Sequence, residues 1–417
     1  MLRVQKLEIN NFRGIEHLVI DFHEQINIFI GDNGCGKSST LDCLAVMLSR
    51  LIGRIRFSEG TGRFFTEQDI HNEKSETRNS LSVDFHDKIV EWIVTKARKG
   101  KKKQTITNLN QVLKAVHDIH QKIESEKGMN NLPLAIYYPV NRSVLDVPLR
   151  IRKRHDFDQL AAYDQALTGK RNDFRVFFEW FRNREDIENE IRLEHQTYRD
   201  RQLEAVRQAI KKLLPYFSEL RVRRQPLRMT VRKGDKELII NQLSDGEKCL
   251  IAMVGDLARR LAIANPSLDY PLQGSGVVLI DEIDLHLHPS WQRMIVPALI
   301  RTFPNCQFIL TTHSPQIIGH VRPDSIFKLK RINDKIEVSH PEASYGLDSN
   351  RILEDTMDVS ERDSLIKEQL SRLFLMISDG KLGEAKQLTT ELRDNIGNAP
   401  ELVKADVIIR RKEIIGR

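Results

Sequence analysis

Alternation of apolar and polar side chains predicts three β-strands in the first thirty residues. Val4–Ile9 alternates regularly, Leu18–Phe22 alternates less regularly, and Ile26–Ile30 is almost continuously apolar. The last run leads directly into Gly31, and residues 38–50 then carry apolar side chains at helical spacing. The chain is therefore predicted to begin with three strands, a glycine-rich loop and a helix.

Further strands are predicted in three parts of the chain. Residues 81–110 alternate like a pair of β-hairpin strands, with a basic turn at Lys96–Lys103. Short apolar runs predict strands at Leu134–Val140, Val277–Ile280 and Gln307–Thr311, and Leu220–Val231 is also strand-like. Polar or acidic residues follow the two runs at 277–280 and 307–311, which favours a parallel sheet with a site at the carboxyl ends of its strands.

Helical spacing dominates the middle and the end of the chain. Aromatic residues at positions 174, 177, 178 and 181 predict a helix within an insertion, and two further helices are expected at Arg362–Ile377 and Gly383–Ile396. We expect the aromatic run to form a core; a base-stacking surface is the alternative. The fold class predicted is α/β with mixed sheets, a helical insertion and a helical tail, and the expected divisions are residues 1–143, 144–219, 220–341 and 342–417.

Composition narrows the function classes. Apolar residues make up 40% and charged residues 29%, which is typical of a globular protein, and no run of about 18 apolar residues suggests a membrane span. The four cysteines form no C-x-x-C pair, as expected for the cytoplasm. A net charge of +7 and a pI near 9.1 are compatible with nucleic acid without requiring it.

The segment GDNGCGKSS, residues 31–39, has the pattern of a phosphate-binding loop. Its glycines allow backbone N–H groups to approach phosphate oxygens, and the following helix adds positive charge at its N-terminus. Lys37 is expected to bind the β- and γ-phosphates of ATP, and Ser38 to bind Mg²⁺. The residues predicted to contact the nucleotide here are Asn33, Gly34, Gly36, Lys37, Ser38 and Ser39.

The segment VVLIDE places two carboxylates after a buried strand. Asp281 is expected to hold Mg²⁺, directly or through water, and Glu282 to position and polarise the attacking water. An acidic strand end that faces solvent is the alternative. The phosphate loop earlier in the chain favours the catalytic interpretation.

LSDGEK resembles the signature motif of ABC-type ATPases, and it precedes Asp281 by 37 residues. The resemblance implies that Ser244, Gly246 and Glu247 serve the nucleotide bound by another protomer. It also implies that His313, in TTHS, contacts the γ-phosphate.

Two further segments, IDLHLHP and INNFRG, resemble the branch that contains RecF, Rad50, SMC and OLD-type ATPases. That resemblance implies roles for Asp284 in the D-loop and for Arg13 near the nucleotide, and Gln68 of FFTEQDI is the candidate Mg²⁺-sensing glutamine. For His286 and His288, an H-x-H metal site is the alternative interpretation.

Several basic clusters have both a functional and an ordinary interpretation. They could contact a DNA backbone, or they could be solvated turns. The first cluster, for which DNA contact is considered, comprises Lys96, Arg98, Lys99, Lys101, Lys102 and Lys103. The second cluster is Arg150, Arg152, Lys153 and Arg154, and the third is Arg221, Arg223 and Arg224.

Taken together, the ATPase motifs, the modest insert and the tail segment YGLDSNRILEDTMDVSERD resemble the PtuA-type ATPases of Septu antiphage systems, which also occur with retrons. The resemblance implies an HNH nuclease partner of the PtuB type and homo-oligomers built from head-to-tail ATPase dimers. DNA or a retron nucleic acid is a further partner considered, and no membrane is expected.

Three other interpretations share some of these motifs. An OLD-type nuclease would carry its own Toprim domain, whereas the residues after position 342 have a helical pattern without an acidic strand end. An ABC transporter subunit does not fit the INNFRG start, the DEIDLHLHP loop or the long insert. A RecF-like DNA-repair ATPase without a nuclease partner remains the alternative, because it shares the core motifs.

Overall fold

The computed structural model describes residues 1–57, 59–101, 106–125, 130–140, 157–169, 174–333, 335–360 and 363–415. The chain divides into two compact units, Met1–Ile352 and Leu353–Arg417. No helix among the described residues has both the length and the apolar character that crossing a bilayer requires.

Strands, singly or in short groups, are separated by helices along most of the described chain. The strands are β1 Leu2–Phe12, β2 Ile15–Asp21, β3 Ile26–Ile30, β4 Glu76–Phe85, β5 Lys88–Ala97, β6 Leu134–Tyr138, β7 Phe217–Arg224, β8 Leu227–Lys233, β9 Lys236–Ile239, β10 Gly276–Ile280, β11 Cys306–Thr311, β12 Ile326–Ile332 and β13 Lys335–Ser339. The helices are α1 Lys37–Arg56, α2 Asn110–Ser125, α3 Phe174–Glu194, α4 Arg201–Leu213, α5 Asp245–Ala264, α6 Pro289–Thr302, α7 Pro315–Ile318, α8 Ser349–Arg351, α9 Ser364–Ser378, α10 Leu382–Ile396 and α11 Pro400–Ile415.

A six-stranded sheet in the order β13-β12-β3-β11-β10-β6 forms the centre of the first unit. All neighbouring strands in it are parallel except β12 and β13. Every residue of β3, β6, β10 and β11 is buried, which explains why these segments are mostly apolar rather than alternating. The carboxyl ends of β3, β10 and β11 therefore meet at one edge of the sheet.

A second sheet is antiparallel, with its strands in the order β2-β1-β4-β5. It shows that the prediction of a hairpin turn at Lys96–Lys103 was wrong. The tight turn that joins β4 to β5 lies at His86 and Asp87, both with positive φ, and not at the basic stretch. The basic stretch instead begins at Lys96, near the end of β5, and continues after that strand. An isolated bridge links Ile93 of β5 to Asn108 farther along the chain. The alternation of apolar and polar side chains therefore predicted a hairpin correctly, whereas the predicted position of its turn was wrong.

The aromatic run lies on α3 and is part of the core. Phe174, Phe177, Phe178 and Phe181 are each at most 4% exposed. A Cβ built on Gly255 of α5 would lie 2.8 Å from the ring of Phe177, so the two helices pack closely there. The run is consequently not a base-stacking surface; the domain boundaries at 144 and 219 stay a prediction.

The second unit is a group of three helices. Helices α9 and α10 agree closely with the two predicted helices, and α11 follows them without having been predicted. Leu373 of α9, Ala385 of α10 and Leu402 of α11 belong to one buried apolar cluster. This unit thus has a core of its own.

Candidate active site

The phosphate-binding segment curls between β3 and α1, where two glycines are required. Gly31 has φ 135°, and a Cβ there would lie 2.1 Å from the carbonyl oxygen of Leu329; Gly36 has φ 97° at the start of α1. The buried ammonium of Lys37 donates hydrogen bonds to the carbonyl oxygens of Gly31 at 2.7 Å and Asp32 at 2.9 Å. The lysine thus lies inside the loop, next to the N-terminus of the helix, where anions bind favourably.

Asp281 joins the phosphate loop to the end of β10. The hydroxyl of Ser38 donates to Asp281 Oδ1 at 3.0 Å, and the hydroxyl of Thr311 donates to the same oxygen at 2.6 Å. Asp281 is 3% exposed, and its own backbone N–H donates to Tyr138. A hydroxyl and a carboxylate so close together are oxygen ligands of the kind that Mg²⁺ prefers.

Glu282 follows at once and adopts a left-handed backbone conformation with φ 49°. Its N–H donates to the hydroxyl of Thr311 at 2.7 Å, which fixes the turn. A positive φ is uncommon for a residue with a side chain, and such strain occurs often at functional sites. The turn directs Glu282 to a cavity over the phosphate loop, which is lined by Gly14, Ile15, Asn33, Gly34, Gly36, Lys37, Ser38, Ser39, Glu282, His313 and Arg331.

Asp284 connects the turn after β10 with the segment after β11. Its Oδ1 accepts a hydrogen bond from the hydroxyl of Thr312 at 2.6 Å and one from the N–H of His313 at 3.4 Å. His313 is among the residues that line the cavity, so Asp284 helps to fix the backbone beside it. This contact lies within one chain and adds a structural role to the residue predicted for the D-loop.

The signature segment forms the N-terminus of α5. Ser244 and Glu247 make a reciprocal cap, in which Glu247 Oε2 accepts from the N–H and the hydroxyl of Ser244 at 2.9 and 3.0 Å. Burial raises the pKa of Glu247, but hydrogen bonds from Lys233 and Ser244 outweigh it, so the pKa lies below its usual value. Glu247 is thereby held as a charged capping residue.

Gly246 packs against the turn that follows Asp284. A Cβ at this position would lie 2.2 Å from the carbonyl oxygen of His286. The glycine is therefore needed for close backbone approach within one protomer. The signature helix and the D-loop are in direct contact at this point.

Arg13 is held by two carboxylates. Its guanidinium lies 2.5 Å from Asp42 Oδ2, on α1, and 2.9 Å from Asp69 Oδ1. Burial disfavours the charge of Asp69, but hydrogen bonds from Thr66 and Arg13 prevail and lower its pKa. The ion pairs of Arg13 therefore connect the short turn Glu67–Asp69 to α1. Neither Arg13 nor Gln68, which is exposed on that turn, is among the cavity-lining residues named above.

The sequence did not predict Arg331, which lies on β12. Its guanidinium donates to the carbonyl oxygens of Gly14 at 3.2 Å and Gly34 at 3.4 Å, and it lines the cavity. No motif surrounds it in the sequence. Only the pairing of β12 with β3 brings it over the phosphate loop.

The candidate histidine pair and the described residues of the first basic cluster do not line the nucleotide cavity. His288 Nδ1 lies 2.8 Å from the Ser290 hydroxyl and caps α6; within the described ranges no cluster of three or more His, Cys, Asp or Glu side chains is arranged to hold a metal. In the first basic cluster, Arg98 donates to the carbonyl oxygens of His71 and Lys74, while Lys99 and Lys101 are exposed. Lys102, Lys103 and the cluster at 150–154 lie outside the described residues.

Comparison with known proteins places this site in a family. Residues 26–319 match the family described as AAA domain, putative AbiEii toxin, Type IV TA system. The chain is 32% identical to the retron Ec83 probable ATPase of Escherichia coli, over 87% of this chain and 77% of that protein. The chain belongs to this family of ATPases.

Two other relatives agree with that assignment. The ATPase is 31% identical to the retron Vc95 probable ATPase of Vibrio cholerae, over 89% of this chain and 82% of the relative. It is 24% identical to the Septu protein PtuA of Bacillus thuringiensis, over 87% of this chain and 86% of that protein. The predicted resemblance to retron and Septu ATPases and the predicted P-loop α/β fold are confirmed.

Proposed function

We propose that this ATPase uses ATP to regulate a partner HNH nuclease of the PtuB type in antiphage defence. The names of its relatives support this proposal, because they come from retron and Septu systems and cover most of the chain. The described part of the second unit is helical, which favours a regulatory subunit over one with its own Toprim nuclease.

Within one protomer, the cavity residues divide the work on the nucleotide. The N–H groups of the phosphate loop and Lys37 would bind the phosphates, and Ser38 with the neighbouring Asp281 would hold Mg²⁺. Gln68, which does not line the cavity, is the candidate sensor. When bound, Mg²⁺ neutralises charge on the β- and γ-phosphates. Glu282 accepts a proton from the attacking water, and His313 contacts the γ-phosphate.

The observation that carries the proposal is the position of Ser244. It is exposed at the N-terminus of the 20-residue helix α5, yet in the described chain no signature residue lines the protomer's own nucleotide cavity. An exposed helix N-terminus binds anions well, so it is suited to a γ-phosphate presented by another protomer. A head-to-tail dimer would bring Ser244 and Gly246 to that phosphate.

The same helix offers a route from the nucleotide to the rest of the protein. Gly246 packs on the loop that contains Asp284, while farther along α5 Gly255 packs on Phe177 of α3. A change at the shared nucleotide therefore reaches the helical insertion through a single rigid element. We propose that this movement opens or closes the nuclease.

Nuclease assays on the reconstituted complex test this function. The ATPase would be co-expressed and co-purified with an HNH nuclease of the PtuB type as the candidate partner, and DNA cleavage would be measured with and without ATP. Lys37→Ala should abolish the ATP dependence, and Glu282→Gln should lock the complex in its ATP-bound state. Lys212→Gln, at an exposed position of α4, is the control. DNA cleavage that is the same with and without ATP in all three variants would instead favour the RecF-like alternative. Failure of the ATPase and the nuclease to associate would favour it as well.

A further inference from the structure

A second cavity lies far from the nucleotide site, at the other end of α1. It has a volume of about 430 Å³ and is lined by the last turns of α1, the connection that follows and β5. Arg54 is 16 residues after Ser38 on the same helix, which corresponds to about 24 Å of helix length. The two cavities are therefore separate, and this one is large enough for a nucleotide.

Every charged residue that lines this cavity is a cation. These are Arg50 and Arg54 on α1 and Lys96 on β5, and none of them makes an ion pair with another described residue. Three positive charges in one concave site repel one another, so an anion would stabilise them. Burial, with Arg54 contributing, lowers the pKa of Arg50 to about 10, which agrees with positive charge that is not compensated.

Arg50 also has an unusual environment. It is only 5% exposed, its Nη1 donates to the carbonyl oxygen of Thr61 at 2.5 Å, and its buried Nε has no hydrogen-bond partner in the described chain. Buried polar atoms without a partner are rare and are costly to maintain. This atom belongs to a residue that lines the cavity.

An aromatic ring completes the site. Phe64 packs over the Arg50 guanidinium, 4.1 Å from the ring centroid, and yet 63% of the residue is exposed. Exposed aromatic rings beside cations are the elements with which proteins hold unpaired bases and their phosphates. Lys99 and Lys101, both exposed, follow Lys96 along the chain and add two further positive charges to this part of the sequence.

We propose that this cavity binds a nucleotide unit, with its phosphate near Arg54 and Lys96 and its base on Phe64. The unit belongs either to a single-stranded nucleic acid or to a free mononucleotide, since both present the same phosphate and base. The site goes beyond the proposed regulation of a nuclease, and it does not require that regulation to be correct.

Binding measurements in a Lys37→Ala background test the proposal, because that substitution weakens nucleotide binding at the phosphate loop. The probes are thymidine monophosphate and a fluorescent oligothymidylate. The full-length variants are Arg54→Gln with Lys96→Gln, and Phe64→Leu. The control is Lys212→Gln with Lys236→Gln, two exposed lysines that give the same change of charge.

The double cavity variant should weaken binding about tenfold or more and reduce its salt dependence, whereas the control should change neither substantially. Phe64→Leu should weaken binding about fivefold or more without removing the salt dependence. Stronger binding of the oligomer identifies a strand as the source, and binding of the monophosphate alone identifies a free nucleotide. Absence of binding by both probes, or equal losses in the cavity and control variants, would overturn the proposal.

Discussion

The hydroxyl of Ser38 donates a hydrogen bond to Asp281 Oδ1 at 3.0 Å, although the two residues are 243 positions apart in the chain. This contact unites the start of α1 with the end of β10. It places two oxygen atoms of the kind that Mg²⁺ prefers beside the phosphate loop.

Asp281→Asn should remove the Mg²⁺ dependence of ATP binding. The amide oxygen can still accept from Ser38, but the negative charge that attracts the cation is lost. We expect ATP affinity with Mg²⁺ to fall at least about tenfold, or ~1.4 kcal/mol, while affinity without Mg²⁺ changes little. Calorimetric titration with and without Mg²⁺ measures both values. An unchanged response to Mg²⁺ would mean that the cation binds elsewhere.

Gly246→Ala should disturb the contact between α5 and the loop after β10. The new methyl group would lie 2.2 Å from the carbonyl oxygen of His286, so one backbone must shift. We expect a loss of about 1–3 kcal/mol in the free energy of unfolding, together with reduced ATP hydrolysis.

The matched control for that substitution is Gly383→Ala on helix α10. No heavy atom lies within 4 Å of its Cβ position, so alanine should be tolerated or slightly stabilising there. Denaturant unfolding of both variants compares them directly. If the two glycines respond alike, the close approach at Gly246 has no energetic importance.

Arg331→Ala should lower the affinity for nucleotide without unfolding the protein, because the side chain is exposed and lines the cavity. Lysine at this position keeps the charge but cannot reproduce the guanidinium contacts to Gly14 and Gly34, so it should restore affinity only in part. The control is Arg322→Ala, an exposed arginine that does not line the cavity. Equal affinities in the two alanine variants would exclude a role for Arg331.

The features that the sequence predicts are those that residues close together in the chain encode. The phosphate loop was predictable because a buried strand, glycines and a helix are adjacent in the chain. Continuous apolar runs also predicted β10 and β11, since central parallel strands are buried on both faces.

The features that the sequence did not indicate depend on tertiary structure. Arg331 reaches the site only through the pairing of β12 with β3, and Arg13 meets Asp42 and Asp69 from positions 29 and 56 residues away. The basic stretch was mistaken for the hairpin turn because charge marks exposed connections of every kind. The turn at His86 and Asp87 has no glycine or proline to mark it.

Asp256→Asn should destabilise the protein in a pH-dependent way. Burial opposes the charge of Asp256, but contacts of 2.7 Å to Arg260 and to Arg259 outweigh it and lower the pKa to about 2. Because this lies below the usual value of 3.8, the stabilisation is complete above about pH 4 and is lost as the pH falls toward 2. At neutral pH we expect a loss of about 3–5 kcal/mol, since two buried guanidiniums lose their partner.

Unfolding free energies measured across that pH range test the prediction. The difference between wild type and Asp256→Asn should shrink as the pH falls from about 4 to about 2. Asp235→Asn, at an exposed turn, serves as the control and should show no such trend. A constant difference at every pH would show that the carboxylate charge does not stabilise the fold.

The central claim is that Ser244 acts on the nucleotide of a second protomer, and mixing two inactive variants tests it most directly. Lys37→Ala removes the phosphate ligand from one protomer, and Ser244→Arg blocks the signature of the other. Each variant alone should hydrolyse ATP far more slowly than wild type. Mixing them should restore hydrolysis, because one site in each mixed dimer combines an intact phosphate loop with an intact signature. If differently tagged variants co-purify as mixed assemblies and still show no hydrolysis, the signature does not act across the interface.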